Sequence, residues 1–427
     1  MTAPLPWLAP HRTSPFVGEV LVPGSKSLTN RVLILAALGD GPSTVTRPLG
    51  SRDTQLMTAA LTALGATVQR DAMTWTVTPI GSASTEPVTI DCGLAGTVMR
   101  FVPLLAALGS APVTFDGDEH ARIRPMATTI ATLRALGLRV DDEGRGSLPF
   151  TVHGTGHVAG GEVSIDASAS SQFVSALLLV GARLERGLDL RHTGSTLPSM
   201  PHIEMTVAEL RRRGVRIDVP EPGRWIVHPG TIDALDVEIE PDLSNAGVFI
   251  AGALVTGGSV RIRSWPHDTD QAGDAWRTIV PAFGGTVRRD GDDLVFAAGD
   301  RLRGVELDLH DVGELTPVIA AIAALADTPS RLSGVAHLRG HETDRLAALV
   351  TEINRLGGDA EETEDGLVVR PRTLHGDTFR TYDDHRMAHA AVVLGLRVPD
   401  LLVENVVTTV KTYPNFAPVW ERLMTSD

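Results

Sequence analysis

The chain has 427 residues, 43% of them hydrophobic and 21% charged, with 52 acidic against 38 basic residues and a net charge of −14. That length suggests two domains of about 200 residues, and the acidic balance argues against a general nucleic-acid or anionic-membrane surface, which needs a basic face. The single cysteine, Cys92, excludes internal disulfides and multi-cysteine metal sites; with no signal-peptide pattern and no apolar run near the roughly 20 residues of a membrane span, a cytoplasmic protein is expected.

In chain order, a strand is predicted over 17–22 and a helix over 31–38, joined by Pro23-Gly24-Ser25-Lys26-Ser27 and Leu28-Thr29-Asn30-Arg31. A strand–glycine–helix junction aims backbone N–H groups and the positive end of the helix dipole at an anion. Lys26 and Arg31 add charge. The junction is not a Walker A loop, because no glycine stands at position 20; a capped turn with solvated charges has the same sequence. Gly93-Leu94-Ala95-Gly96-Thr97 precedes an apolar helix carrying Arg100, and Gly96 would let a ligand approach the backbone closely. Cys92 beside it reads as a small buried hydrophobe.

Arg122-Ile123-Arg124-Pro125 follows the acidic loop 116–119. Alternating arginines on an extended segment can reach one anion together, although a solvated loop reads the same. Ser170-Ser171-Gln172 opens a helix over the apolar run 174–180 and offers either phosphate donors or an ordinary N-cap. Ser199, within Pro198-Ser199-Met200-Pro201, is a weaker signal of the same kind. Asp311-Val312-Gly313-Glu314 heads a predicted apolar helix at 315–326, where a carboxylate serves as a cap or a general base. His341-Glu342-Thr343-Asp344-Arg345 is no zincin helix, since Arg345 stands where the second histidine would be. The Asp-rich 267–274 is no EF-hand, since Ala272 and Ile279 occupy positions that need oxygen ligands. No metal site is expected. Tyr382-Asp383-Asp384-His385-Arg386-Met387 precedes the apolar run 388–394, and Val410-Lys411-Thr412-Tyr413-Pro414 lies near the end.

Of the 38 basic residues only Lys26 and Lys411 are lysine. A chain that meets its surface charge with arginine and keeps two lysines, both inside motifs, invites a chemical reason: a compact ammonium with a tunable pKa. The chain's two tyrosines, Tyr382 and Tyr413, fall in the last two motifs.

A larger rhythm runs beneath the motifs. An amphipathic helical run ends at a glycine, and a strand, a polar turn and a second strand follow. The glycines are Gly65, Gly137, Gly214, Gly284 and Gly357, spaced by 72, 77, 70 and 73 residues, and each fits a helix C-cap. A sixth unit is expected to be split between the termini, its last helix near 415–423 pairing with strands near 16–22. Three units per domain follow, as a continuous domain at 24–238 and a discontinuous one at 1–23 and 239–427.

Taken in order, Pro-Gly-Ser-Lys-Ser with Asn30-Arg31, Ala95-Gly96-Thr97 with Arg100, Arg124-Pro125, Ser170-Ser171-Gln172, Glu342-Thr343-Asp344-Arg345, Asp384-His385-Arg386-Met387 and Lys411-Thr412 resemble the EPSP synthase family of enolpyruvyl transferases, from about residue 23 to 415. The resemblance implies an α/β fold of two similar domains, each of three β-α-β-α-β-β repeats in an inside-out barrel, with the site in the cleft between them. It implies transfer of the enolpyruvyl group of phosphoenolpyruvate to the 5-hydroxyl of shikimate 3-phosphate by addition and elimination. No cofactor is implied, and a monomer is expected. By the same resemblance Arg345 and Arg386 hold the phosphoenolpyruvate carboxylate, Lys26, Arg124, Gln172 and Lys411 surround its phosphate, and Gly96 and Thr97 also bind phosphoenolpyruvate. Ser27 and Arg31 hold the shikimate carboxylate. Ser170, Ser171 and Ser199, with His337 and His341, serve the shikimate phosphate; Lys26, Gln172 and Glu314 also touch shikimate 3-phosphate. Glu314 is the base and Glu342 the acid, with Lys26 sharing proton duty.

Departures from the family pattern are His341 for a frequent lysine, His337 for a frequent asparagine, Glu314 for the commoner aspartate and Phe101 for a proline. The sister family that uses UDP-N-acetylglucosamine carries a cysteine before its Arg-Pro pair, and 116–122 holds none. A paralogue acting on another cyclic alcohol, or a non-catalytic anion binder, would share the fold; the presence of both Glu314 and Glu342 favours an enzyme.

Overall fold

The computed structural model describes residues 5–81 and 86–425. Its helices are α1 Lys26–Ala37, α2 Arg52–Ala63, α3 Gly96–Ala106, α4 Glu119–Arg122, α5 Ala127–Ala135, α6 Gln172–Gly181, α7 Met200–Arg212, α8 Leu243–Thr256, α9 Trp276–Ala282, α10 Thr316–Ala324, α11 Arg345–Arg355, α12 His385–Gly395 and α13 Phe416–Thr425. The chain divides into two compact units, one of residues 24–239 and one of 1–23 with 240–427.

One small sheet design recurs. In the sheet around Pro112–Asp116, Val88–Asp91 runs parallel to that strand. Phe150–His153 then pairs antiparallel with Pro112–Asp116, and Arg139–Asp141 with Phe150–His153. Among the described residues the same order, with one parallel pair followed by an antiparallel hairpin, builds five four-stranded sheets, and a sixth sheet has three strands. Each unit holds three of the six sheets.

The five glycines of the sequence rhythm all have positive φ, from 74° at Gly214 to 104° at Gly65. Each closes a helix in the same way. After α2, the Ala66 N–H donates to the Leu61 carbonyl and the Gly65 N–H to that of Thr62; Val215 and Gly214 repeat this on Leu210 and Arg211 after α7. This double bond satisfies carbonyls the helix leaves open and needs a left-handed residue, which glycine supplies without strain.

The terminal strands differ from expectation. Val17–Val20 ends two residues early and pairs in parallel with Ser259–Ile262, in a four-stranded sheet. Trp7–Leu8 instead completes the three-stranded sheet by pairing with Leu402–Val403. The middle unit is also closed by a split sheet, Val237–Glu238 lying parallel to residues 45–46. Closure in each unit joins segments distant in sequence, so local pattern could not place the partners.

Each repeat contributes one helix buried on all sides: α1, α3 and α6 in the middle unit, α8, α10 and α12 in the other. Every residue of α3 and of α12 is buried. Such all-round apolar helices form a core rather than a face. Helices α2, α5, α7 and α11 keep a wet side. Each unit has its own continuous apolar cluster. Burial leaves the first-turn N–H groups of these helices without bulk water, so they need partners of their own.

Candidate active site

In the middle unit, α1 begins at Lys26, five residues earlier than expected, with Ser25 as N-cap accepting from the Leu28 N–H. Lys26, Ser27 and Arg31 therefore ride on the helix itself. Lys26 Nζ lies 3.1 Å from Asp53 Oδ2, and Asp53 is buried on α2. Arg31 is 2% exposed, its Nε donating to Thr206 Oγ1 at 2.7 Å. Its terminal nitrogens donate to the Ser27 carbonyl, Ser175 Oγ and the His202 carbonyl. Those four bonds leave one of its five N–H groups for a ligand. Burial lowers its pKa to about 10, still far above neutrality.

Asn30 donates to Thr97 Oγ1 at 2.8 Å, tying the start of α1 to that of α3. Arg100 donates to Gln172 Oε1 at 2.9 Å, tying α3 to α6. Gly96 sits among these groups. A methyl at its α-carbon would lie 2.9 Å from Arg100 Nη1, 3.1 Å from Arg124 Nη2 and 3.1 Å from Gln172 Oε1. Arg100 is buried, and burial together with the neighbouring Arg124 brings its pKa well down. Two guanidiniums held this close in a dry place suit an anion between them.

The two arginines expected to converge do not. Residues 119–122 coil into α4, so Arg122 turns outward to Asp116 at 2.7 Å, while the buried Arg124 donates to the Leu94 carbonyl. Ser170 Oγ accepts the Gln172 N–H. Ser171 and Ser199 are N-caps of α6 and α7, but neither hydroxyl caps its helix; Ser199 takes φ 57°. Cys92 is fully buried, and burial with Asp91 and Asp116 pushes its thiol up, so it is a core residue.

In the other unit Glu314 lies on the 3-10 turn His310–Leu315, ahead of α10 as expected, and accepts from Ser244 Oγ at 3.3 Å. Helix α10 ends at Ala324, two residues short of the expected end. Arg386, buried on α12, donates to the Ser244 carbonyl. Arg345 opens α11 and is 3% exposed. Its Nε and Nη2 bind Asp384 at 2.7 and 3.1 Å, and its Nη1 meets His341 Nδ1 at 3.2 Å. Since a guanidinium has five N–H groups, one remains on each terminal nitrogen, the geometry of a carboxylate fork. His341 lies 5.7 Å, ring to ring, from His337, whose pKa burial lowers to about 4.

Glu342 is the centre of this half. Lys411 Nζ is 2.5 Å from its Oε1 and His385 Nδ1 is 3.1 Å from its Oε2. Burial alone would raise the Glu342 pKa, but Lys411, His385 and Arg345 together hold it well below the usual carboxylate range. Burial lowers His385 to about 4, so that ring is neutral near pH 7. Glu342, Asp384 and His385 bring ligating atoms within 4.8 Å of one another. A divalent ion there would have to displace Lys411 and Arg345, which already neutralise the carboxylates.

His385 stood inside a motif without a role, and its bond to Glu342 gives it one. Asp53, Asp384 and Ser244 orient the charged groups. Asp384 lay in the same motif, whereas nothing in the sequence pointed to Asp53.

Within each unit, buried or half-buried cationic side chains are paired with carboxylates, a donor set suited to small anionic ligands. The profile of the EPSP synthase family (3-phosphoshikimate 1-carboxyvinyltransferase) matches residues 10–420, and the chain belongs to that family. A 3-phosphoshikimate 1-carboxyvinyltransferase from Kocuria rhizophila is 54% identical, covering 99% of this chain and 97% of the relative. Two solved structures of EPSP synthase from Acinetobacter baumannii, each 22% identical and covering 97% of both chains, match with TM-scores of 0.78 and 0.77 and share the fold.

Proposed function

We propose that the chain transfers the enolpyruvyl group of phosphoenolpyruvate to the 5-hydroxyl of shikimate 3-phosphate, with phosphate as the leaving group, and that its own residues divide the work as follows. The phosphoenolpyruvate carboxylate takes the unspent fork of Arg345 and the guanidinium of Arg386. Its phosphate falls to Lys26, Gly96, Thr97, Arg124, Gln172 and Lys411. Shikimate 3-phosphate takes Ser27 and Arg31 at its carboxylate, and Ser170, Ser171, Ser199, His337 and His341 at its phosphate.

In the addition step Glu314 accepts the proton of the 5-hydroxyl as that oxygen bonds to C2 of phosphoenolpyruvate. A proton from Glu342 goes to the methylene carbon, which becomes a methyl group. In the elimination step that methyl returns a proton, the double bond re-forms and the C2–O bond to phosphate breaks.

The observation that carries this reading is the Lys411–Glu342 pair at 2.5 Å. Glu342 is ionised while Lys411 faces it, a state in which it cannot act as an acid. A phosphate dianion that engages Lys411 weakens the effect opposing burial, and burial favours the neutral acid. Substrate arrival thus shifts Glu342 towards the protonated form, with the proton drawn from solvent, although His385 and Arg345 continue to oppose it. General acids and bases of this kind each contribute about 10²–10⁴-fold.

Phosphate release from phosphoenolpyruvate, with shikimate 3-phosphate and with UDP-N-acetylglucosamine as parallel acceptors and no added metal, tests the assignment. Release with shikimate 3-phosphate alone is expected; release only with the nucleotide sugar, or with neither, would refute it.

A further inference from the structure

The reaction as described leaves out Tyr382, one of the chain's two tyrosines, although it stands two residues before Asp384. Tyr382 and Asp383 both have φ 53°. Two consecutive non-glycine residues in the left-handed region are rare and persist only where surrounding contacts over-determine them.

Those contacts are present. Glu352, on α11, is fully buried. Its Oε1 accepts the Tyr382 hydroxyl at 2.7 Å, and its Oε2 accepts the Arg380 backbone N–H at 3.0 Å. Arg355 Nε neutralises the same carboxylate at 2.9 Å. Glu404 accepts the Thr381 N–H at 2.9 Å, and the Asp384 N–H returns to the Thr381 carbonyl at 2.8 Å. Two carboxylates and one phenol therefore hold residues 380–383 in the strained turn. From that turn Asp384 binds Arg345 through both oxygens and also accepts the Arg386 N–H.

Helix α11 thus meets one loop at two places. Arg345 at its start binds Asp384, and Glu352, seven residues on and about 10 Å along the axis, binds Tyr382. Released at the Tyr382 end, the turn is free to relax towards ordinary φ values, and Asp384 and His385 would rotate with it.

We propose that Tyr382 and Glu352 are positioning residues: they strap the turn that aims the Arg345 fork through Asp384 and sets His385 against Glu342, without touching substrate. The proposal rests on the reading that Arg345 holds the phosphoenolpyruvate carboxylate.

The test is Tyr382→Phe, which keeps the ring and removes only the hydroxyl. The KM for phosphoenolpyruvate is expected to rise about tenfold, while that for shikimate 3-phosphate stays within twofold. In an Arg345→Lys background, Tyr382→Phe should add little, because its effect passes through that fork. Glu352→Gln, which keeps an acceptor for the hydroxyl, should restore most of what Glu352→Ala loses. A phosphoenolpyruvate KM within twofold of wild type in Tyr382→Phe, or full additivity with Arg345→Lys, would overturn the strap. The His385 ring resonances of the unliganded protein report the same displacement without turnover. An inert wild-type enzyme would therefore refute the reaction, and unchanged His385 resonances in Tyr382→Phe would separately refute the strap.

Discussion

Replacing Glu342 by glutamine removes one proton site and one negative charge while keeping the shape. The residue lies 2.5 Å from Lys411 and 3.1 Å from His385, with its side chain 10% exposed. Loss of a general acid lowers turnover by about 10²–10⁴-fold, or about 3–5 kcal/mol of barrier. Binding should move the other way or not at all. In the unliganded protein Glu342 competes with the incoming phosphate for Lys411, and the amide competes less. The expected result for Glu342→Gln is a kcat at most one hundredth of wild type, with a phosphoenolpyruvate KM unchanged or lower. Steady-state phosphate release measures both constants, and a thermal melt confirms that the variant is folded. A kcat within threefold of wild type would refute the acid role. A tenfold rise in KM with kcat intact would show that Glu342 serves binding alone.

Lys26→Arg should lose at least about a hundredfold in kcat/KM despite its unchanged charge, because a planar fork cannot take the place of a compact ammonium beside Asp53; wild-type kinetics would sink the lysine argument. Gly96→Ala places a methyl 2.9 Å from Arg100 and 3.1 Å from Gln172. Overpacking of this kind costs about 1–3 kcal/mol, so the phosphoenolpyruvate KM should rise roughly 5- to 150-fold, and an unchanged value would mean these side chains yield freely. With no side chain at Gly96, glyphosate is expected to inhibit the wild type, and an unaffected rate at saturating glyphosate would contradict that. His337 and His385 have folded pKa values of about 4 against an ordinary 6.5. The unfolded chain binds more protons between those values, so stability is fully present above pH 6.5 and falls as pH drops towards 4, by on the order of 1 kcal/mol per pH unit for each ring. Urea midpoints that stay flat from pH 6.5 to 5 would contradict the burial of these rings.

Much of this molecule was legible before any coordinates. The five glycines that end α2, α5, α7, α9 and α11 follow from a local rule: a helix must stop, and only a left-handed residue closes it with two backbone bonds. The charged motifs stood out only as an ordered set, since each one alone reads equally well as a capped turn with solvated charges. What the sequence could not supply was direction and partnership. Arg122 and Arg124 are two residues apart, yet four residues of helix send one to solvent and the other inward. Arg345 and Glu352 on α11 meet Asp384 and Tyr382 in the turn before α12, and their separation in sequence says nothing of that contact. The charge state of Glu342 also depends on tertiary structure: burial pushes towards the neutral acid, Lys411 from 69 residues away pushes towards the anion, and only their spacing decides which prevails. Sequence therefore determined the helix-ending glycines and the charged groups that the motifs carry; packing determined which of those groups face one another, because Coulomb energy and desolvation depend on distance and burial, neither of which a linear order contains.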